Sequence, residues 1–239
     1  MNILSIGNSF SVDATRYLQR IAKADGVQLT TVNICIGGCS LFRHFKNMKA
    51  DYKEYALEMN GENTGFFVTM KEALLSREWD VVTIQQVSQL SPKYESFQPY
   101  LTELCAYIRE HAPKAKILLQ QTWAYEKDSK RLCTELGYKT HEEMFKDVEE
   151  SYNKAAESIN ADGIIPSGAM FEGLLKNGIE KIHRDTFHAS LGLGRYALGL
   201  LWYKVLTGNQ VSENSFCDFD EPVSENEIAI AKKVIDTEF

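Results

Sequence analysis

The sequence predicts an α/β fold in which a parallel sheet is covered on both faces by helices. Three observations carry that expectation. Short aliphatic and β-branched runs alternate with longer stretches of helical periodicity. Each run stops at glycine or polar residues, and the composition supports one sizeable core: 239 residues, 44% hydrophobic, 25% charged, with 15 Gly and 5 Pro. Collagen-like, disordered and low-complexity classes are excluded on that composition, and a single domain over residues 1–239 is expected.

Taken in order, Ile3, Leu4 and Ile6 form a first strand that stops at Gly7-Asn8-Ser9, and Tyr17, Leu18 and Ile21 give Ala14–Ala24 a helical spacing. A second strand, Leu29–Ile36, ends at Gly37-Gly38. A third, Val81–Ile84, ends at Gln85-Gln86, and a fourth, Ile117–Leu119, ends at Gln120-Gln121-Thr122-Trp123. Tyr100–His111 carries Leu101, Leu104 and Ile108 on one face, with Pro113 beyond as a stop. His141–Asn160 places Met144, Phe145, Val148, Tyr152, Ala155 and Ile159 at helical spacing, opposite a solvated Glu and Lys face. A weak fifth strand at Gly163–Pro166 is followed by helices near Met170–Lys176, Gly192–Val205 and from Glu225 onward. Residues 51–69 break this rhythm: Tyr55, Leu57 and Met59 alternate before Asn60-Gly61 and the run Phe66-Phe67-Val68, which reads as an inserted hairpin.

Charge and length narrow the function classes. A formal net charge of −7, from 26 Lys+Arg against 33 Asp+Glu, leaves no basic excess to release the counterions of a nucleic acid. No 18-residue apolar window exists, so no membrane span is expected. Met1–Gly7 lacks the basic and apolar regions of a secretory leader, so the cytoplasm is expected, or secretion or the periplasm if a leader has been removed. Five cysteines with no Cys-x-x-Cys pair fit reduced thiols.

In open parallel sheets ligands bind at the carboxyl ends of the strands, so the polar strand ends are where chemistry is expected. Ser9 lies in a tight turn between strand and helix, where a hydroxyl is exposed and backbone N–H groups favour a developing oxyanion. Either Ser9 or Ser11 could instead cap the helix. Near the other end, Asp185 precedes His188 by three residues on a loop, so one turn can present both, the carboxylate holding the ring while its other nitrogen takes a serine proton. His183, Asp185 and His188 are also competent zinc ligands, though no second cluster accompanies them. Cys39 is read as a small buried thiol rather than a nucleophile. Trp123 and Tyr125 after the fourth strand, and His44 after the second, are candidates for a substrate rim, with core or surface positions as the alternative. A Ser-centred elbow of the α/β-hydrolase kind and a phosphate loop are both absent.

Together these blocks resemble the SGNH, or GDSL-like, serine hydrolases, in particular a bacterial branch whose first block reads Gly-Asn-Ser-Phe-Ser. Gly7-Asn8-Ser9-Phe10-Ser11 matches it, with Asn8 where Asp is more common; Gly37-Gly38-Cys39-Ser40 matches the second block, and Asp185 and His188 match the last. The resemblance implies a flavodoxin-like three-layer fold with a central five-stranded parallel sheet, Ser9 as nucleophile, and an oxyanion hole from the backbone of Ser9 and Gly38, with Gly37 as alternative. The family's Gly-x-Asn-Asp block is missing. Gln86 is the candidate third oxyanion donor, with Gln85 or Ser88 as alternatives. What the resemblance implies is hydrolysis of small acyl esters, acetyl groups on carbohydrates first, without cofactor or metal. A non-catalytic sugar- or nucleotide-binding domain and a metal-assisted hydrolase are the rival readings. Oligomeric state is not legible.

Overall fold

The computed structural model describes all 239 residues. Its core is a seven-stranded sheet in the order β4-β3-β2-β1-β5-β6-β7. Five strands are parallel: β1 (Asn2–Gly7), β2 (Thr30–Cys35), β5 (Val81–Ile84), β6 (Lys116–Gln120) and β7 (Gly163–Ile165). The expected five-stranded sheet is therefore present as the parallel part of a larger one. The inserted hairpin, β3 (Tyr55–Met59) and β4 (Glu62–Val68), adds two antiparallel strands to the free side of β2. Its turn lies at Asn60-Gly61, both with positive φ (52° and 83°), the geometry that two-residue hairpins favour.

The central strands are short and almost wholly buried, as strands covered on both faces must be. On one face pack α1 (Ser9–Thr15), α2 (Leu18–Ala24) and α8 (Leu193–Thr207), with α9 (Glu225–Glu238) outside them; α7 (Ser167–Lys176) joins α8 and α9 at the β7 edge. On the other lie α3 (Leu41–Ala50), α4 (Met70–Leu75), α5 (Tyr100–His111) and α6 (His141–Ile159). Helix starts follow local capping chemistry: Thr69 with Glu72 and Ser224 with Glu227 form reciprocal capping boxes for α4 and α9. Sixty-two buried side chains form one apolar cluster on both sides of the sheet, and all five cysteines are free thiols.

The helix expected over Ala14–Ala24 is two helices. The chain breaks at Arg16-Tyr17, where the Tyr17 hydroxyl donates to Leu191 O (2.7 Å) and accepts the Asp220 N–H (2.6 Å), and Arg16 pairs with Asp220 (2.7 Å). Helices α3 and α4 and a π-helical turn at Arg131–Glu135 are additional to the sequence expectation. From β1 the chain moves outward to β2, then returns to place β5 on the other side of β1. That reversal makes the carboxyl ends of β1 and β5 the switch point where an open sheet leaves a crevice.

The hairpin turn yields a stability prediction. A Cβ on Gly61 would lie 2.1 Å from the backbone oxygen of Arg16, at a φ of +83°. Gly61→Ala is expected to destabilise the fold by about 1–3 kcal/mol, the range for a strained backbone position. Urea unfolding of both proteins measures it, and an unchanged midpoint would contradict this account of the turn.

Candidate functional site

Asn8 organises the site. It follows β1 in extended conformation, and its Oδ1 accepts the Phe10 N–H (3.0 Å), so Asn8, not Ser9 or Ser11, caps α1. The same Oδ1 accepts from Gln85 Nε2 at the end of β5 (2.8 Å), while Asn8 Nδ2 donates to Cys39 O beyond β2 (3.1 Å). One buried amide thus ties three strand ends together. Ser11 is buried, its hydroxyl 2.7 Å from Asn8 O and 2.8 Å from Asn33 Oδ1.

With capping done by its neighbour, Ser9 is free to face the loop after α7. Its Oγ lies 2.8 Å from His188 Nε2; His188 Nδ1 lies 2.7 Å from Asp185 Oδ2, and Asp185 Oδ1 accepts the His188 backbone N–H at 2.9 Å. A carboxylate on Nδ1 fixes the tautomer that leaves Nε2 as the base. Partial burial works to raise the Asp185 carboxyl, but its hydrogen bonds from His188 outweigh this and hold it below the usual carboxylate range. The imidazole is walled by the rings of Phe187 (3.9 Å between centroids) and Phe10 (5.8 Å, edge-on). Trp123 stacks on Phe10 at 4.0 Å and donates its indole N–H to Phe187 O (2.8 Å), bracing that wall from below.

Two backbone donors stand at this end of the sheet. As the first residue of α1, Ser9 has an N–H with no intrahelical acceptor. Gly38 sits in a turn closed by the Cys39 N–H on Ile36 O (3.1 Å); its φ of +61° is a conformation that favours glycine, and its own N–H makes no backbone hydrogen bond. The Asn8–Cys39 bond holds this turn beside Ser9.

The other sequence candidates fall elsewhere. Gln86 is fully buried and committed at both ends: Oε1 accepts the N–H groups of Leu41 and Val87 (both 2.9 Å), and Nε2 donates to Ser96 O and Oγ (2.9 and 3.1 Å). It joins the start of α3 to the loop after β5 and has no N–H left for a third oxyanion donor. Gln85 gives its amide to Asn8, and Ser88 pairs with the Tyr125 hydroxyl at 2.9 Å. Gly37 is exposed and adjacent to Gly38.

The expected aromatic rim is also corrected. Trp123 and His44 are fully buried and Tyr125 nearly so. His44 Nδ1 contacts the Tyr55 hydroxyl at 2.9 Å, inside the layer between the sheet and α3. What borders the imidazole instead is Phe187, with the Arg131 guanidinium 4.1 Å above its ring. Neither Phe187 nor Arg131 belongs to a motif of its own, although Phe187 lies between Asp185 and His188 in the sequence. His183 turns away from Asp185 and His188, its Nε2 on Ala124 O at 3.0 Å, and no three His, Cys, Asp or Glu side chains are placed to hold a metal ion. Burial pushes the Cys39 thiol up to about 12, which keeps it protonated and un-nucleophilic.

Solved structures share this arrangement of strands and helices. A protein from Slackia heliotrinireducens assigned provisionally to the SGNH hydrolases superposes with a TM-score of 0.63 at 19% identity, covering 86% of this chain and 98% of that one. Axe2, an acetylxylan esterase from Geobacillus stearothermophilus, does so with a TM-score of 0.54 at 15% identity, over 90% and 94%. At these identities the likeness is one of fold. The chain belongs to the DUF4886 family, a domain of unknown function, whose profile matches residues 2–237. The crystal structure of a DUF4886 family protein from Bacteroides uniformis is 32% identical, with a TM-score of 0.91 over 98% of this chain and 93% of that one. No curated protein matches the chain significantly. No helix is long and apolar enough to cross a membrane.

Buried histidines give a pH prediction. Burial lowers His183 to about 4 and His44 to about 3. Both stay neutral in the folded protein, whereas an unfolded histidine takes up its proton near pH 6.5. The unfolded state therefore binds more protons below that pH, and stability falls as pH drops from about 6.5 towards 4 for His183 and 3 for His44. His141, raised mainly by its hydrogen bond to Glu172, acts in the opposite sense, so a variant isolates the effect. Wild type is expected to lose more stability than His44→Gln between pH 7.5 and 5 in urea titrations; equal losses would refute the assignment.

Proposed function

We propose that this protein is a serine esterase that removes small acyl groups, acetyl foremost, from hydroxylated substrates such as carbohydrates. The observation that carries the reading is the continuous chain from Ser9 Oγ through His188 to Asp185, with both links at 2.7–2.8 Å. In the proposed reaction Ser9 Oγ attacks the ester carbonyl while His188 Nε2 takes its proton. Asp185 holds the ring and stabilises the imidazolium, and the N–H groups of Ser9 and Gly38 receive the oxyanion. His188 then protonates the departing alkoxide, and a water activated by the same nitrogen hydrolyses the acyl-serine.

The preference for a short acyl group draws support from the surroundings of Ser9. The principal cavities of the molecule, including one of about 670 Å³ behind the 179–183 segment, are lined by other residues. None of these cavities includes Ser9, which suits an acyl group short enough to need no enclosed channel. The fold likeness to an acetylxylan esterase is consistent with a carbohydrate alcohol.

Ser9→Ala is expected to remain folded and to lose p-nitrophenyl acetate hydrolysis by about 10⁴-fold or more, together with fluorophosphonate labelling, which in wild type should map to Ser9. A panel of acetylated sugars assayed with both proteins identifies the alcohol. Wild-type rates in Ser9→Ala, or a wild type that the probe does not label, would overturn the reading.

A further inference from the structure

We propose that Asp13 is a positioning residue of this site: through Arg184 it locks the Asp185–His188 turn onto the helix that carries Ser9. The inference rests on the esterase reading above. Asp13 lies one helical turn beyond Ser9 on α1, and its side chain is 0% exposed. Arg184 Nη1 reaches both of its oxygens, at 2.9 and 3.0 Å, and Arg195 Nε reaches Oδ1 at 2.9 Å. A carboxylate withdrawn from water has to be paired, and here both partners come from the segment that brings the imidazole.

The placement of Arg184 gives the pairing its consequence. It directly precedes Asp185, and the Nη1 that binds Asp13 also donates to the carbonyl of Ala189, the residue after His188. The Arg184 N–H on His188 O (3.0 Å) and the bridge between His183 and Ala189 close the turn into a small loop. One guanidinium nitrogen therefore holds the far side of that loop and the nucleophile helix at once. Thr186, between Asp185 and Phe187, has a φ of +77°, a conformation that a β-branched residue keeps only when its neighbours impose it. Besides Ser9–His188 itself and Tyr17–Leu191, the side-chain hydrogen bonds between residues 9–17 and 183–195 all run to Asp13. Arg195 extends the clamp to Asp220 (2.8 Å), which Arg16 also grips.

Buried ion pairs of this kind often contribute little net stability compared with apolar packing. What the pairing supplies is a fixed distance between α1 and the Asp185–His188 turn, which no strand pairing joins. A displacement of about 1 Å between reacting groups can cost about 10²-fold in rate, so a loosened turn should slow the chemistry without weakening substrate binding.

The test compares wild type with Asp13→Asn, Arg184→Ala and Arg184→Lys. Asp236→Asn serves as a control: Asp236 is paired with Lys204 (3.0 Å) and the Val211 N–H in a part of the molecule that contains none of the site residues. Rates for p-nitrophenyl acetate and for fluorophosphonate labelling of Ser9 are measured well below each protein's thermal midpoint. Asp13→Asn and Arg184→Ala are expected to lower kcat and the labelling rate by about 10–100-fold with KM within about threefold, and millimolar guanidinium should partly restore Arg184→Ala. Asp236→Asn should lose thermal stability alone. If Asp13→Asn does not accumulate, Arg184→Lys decides: it keeps the charge, but its nitrogen ends one bond short of Nη1 and so does not reach Asp13 and Ala189 O together, and reduced kcat supports the clamp while wild-type kcat refutes it. Wild-type rates in the folded variants, or a kcat loss in Asp236→Asn of the same size, would overturn the proposal while leaving the esterase reading intact. A wild type that neither turns over ester nor takes the probe would overturn both.

Discussion

A single buried carboxamide holds this site together. Asn8 supplies an acceptor to the first turn of α1 and to Gln85, and a donor to the turn that presents Gly38. Because β1, β2 and β5 are adjacent and parallel, their carboxyl ends converge, and an amide with both a donor and an acceptor is the smallest group that can bind all three. A carboxylate at this position could still cap the helix and accept from Gln85, but it has no N–H for the Cys39 carbonyl. The geometry of the site follows from that knot: Ser9 is released from capping, and the Gly38 turn is held alongside.

The second half of the site is built differently. The imidazole and its carboxylate sit on a loop with only an isolated bridge of regular pairing, so their placement depends on side chains: Trp123 on Phe187 O, Arg131 over the Phe187 ring, and the arginines on Asp13. A rigid strand-end hydroxyl thus meets an imidazole carried by a braced loop. Aromatic stacking holds the loop from one side and ionic contacts from the other, which divides the task between interactions with different responses to salt.

Much of this was readable in the chain. The parallel strands announce themselves because strands buried on both faces are continuous aliphatic runs, and Ser9, Asp185 and His188 stand in short local patterns whose geometry a tight turn largely dictates. The rest depended on distant partners. Phe10, Ala14, Tyr17, Leu18 and Ile21 keep an unbroken helical spacing, so periodicity cannot register the break at Arg16-Tyr17, which is set by Leu191 and Asp220. Gln86 is polar at a strand end, as an oxyanion donor would be, yet its amide answers to Ser96 in a loop with no local signature. Trp123 and His44 follow strands and so were candidates for a rim, but the Phe187 loop and Tyr55 cover them. Asp13 did leave a trace, a charge on the apolar side of a helix, though its two arginines could not be paired with it from spacing alone.

The separation of Ser9 from His188 along the polypeptide, 179 positions, has a consequence for biosynthesis. During translation the serine emerges 179 residues ahead of the imidazole. A nascent chain that has not reached His188 therefore presents this hydroxyl without its imidazole partner. The pairing forms only once the 183–189 loop has been made and has closed onto α1.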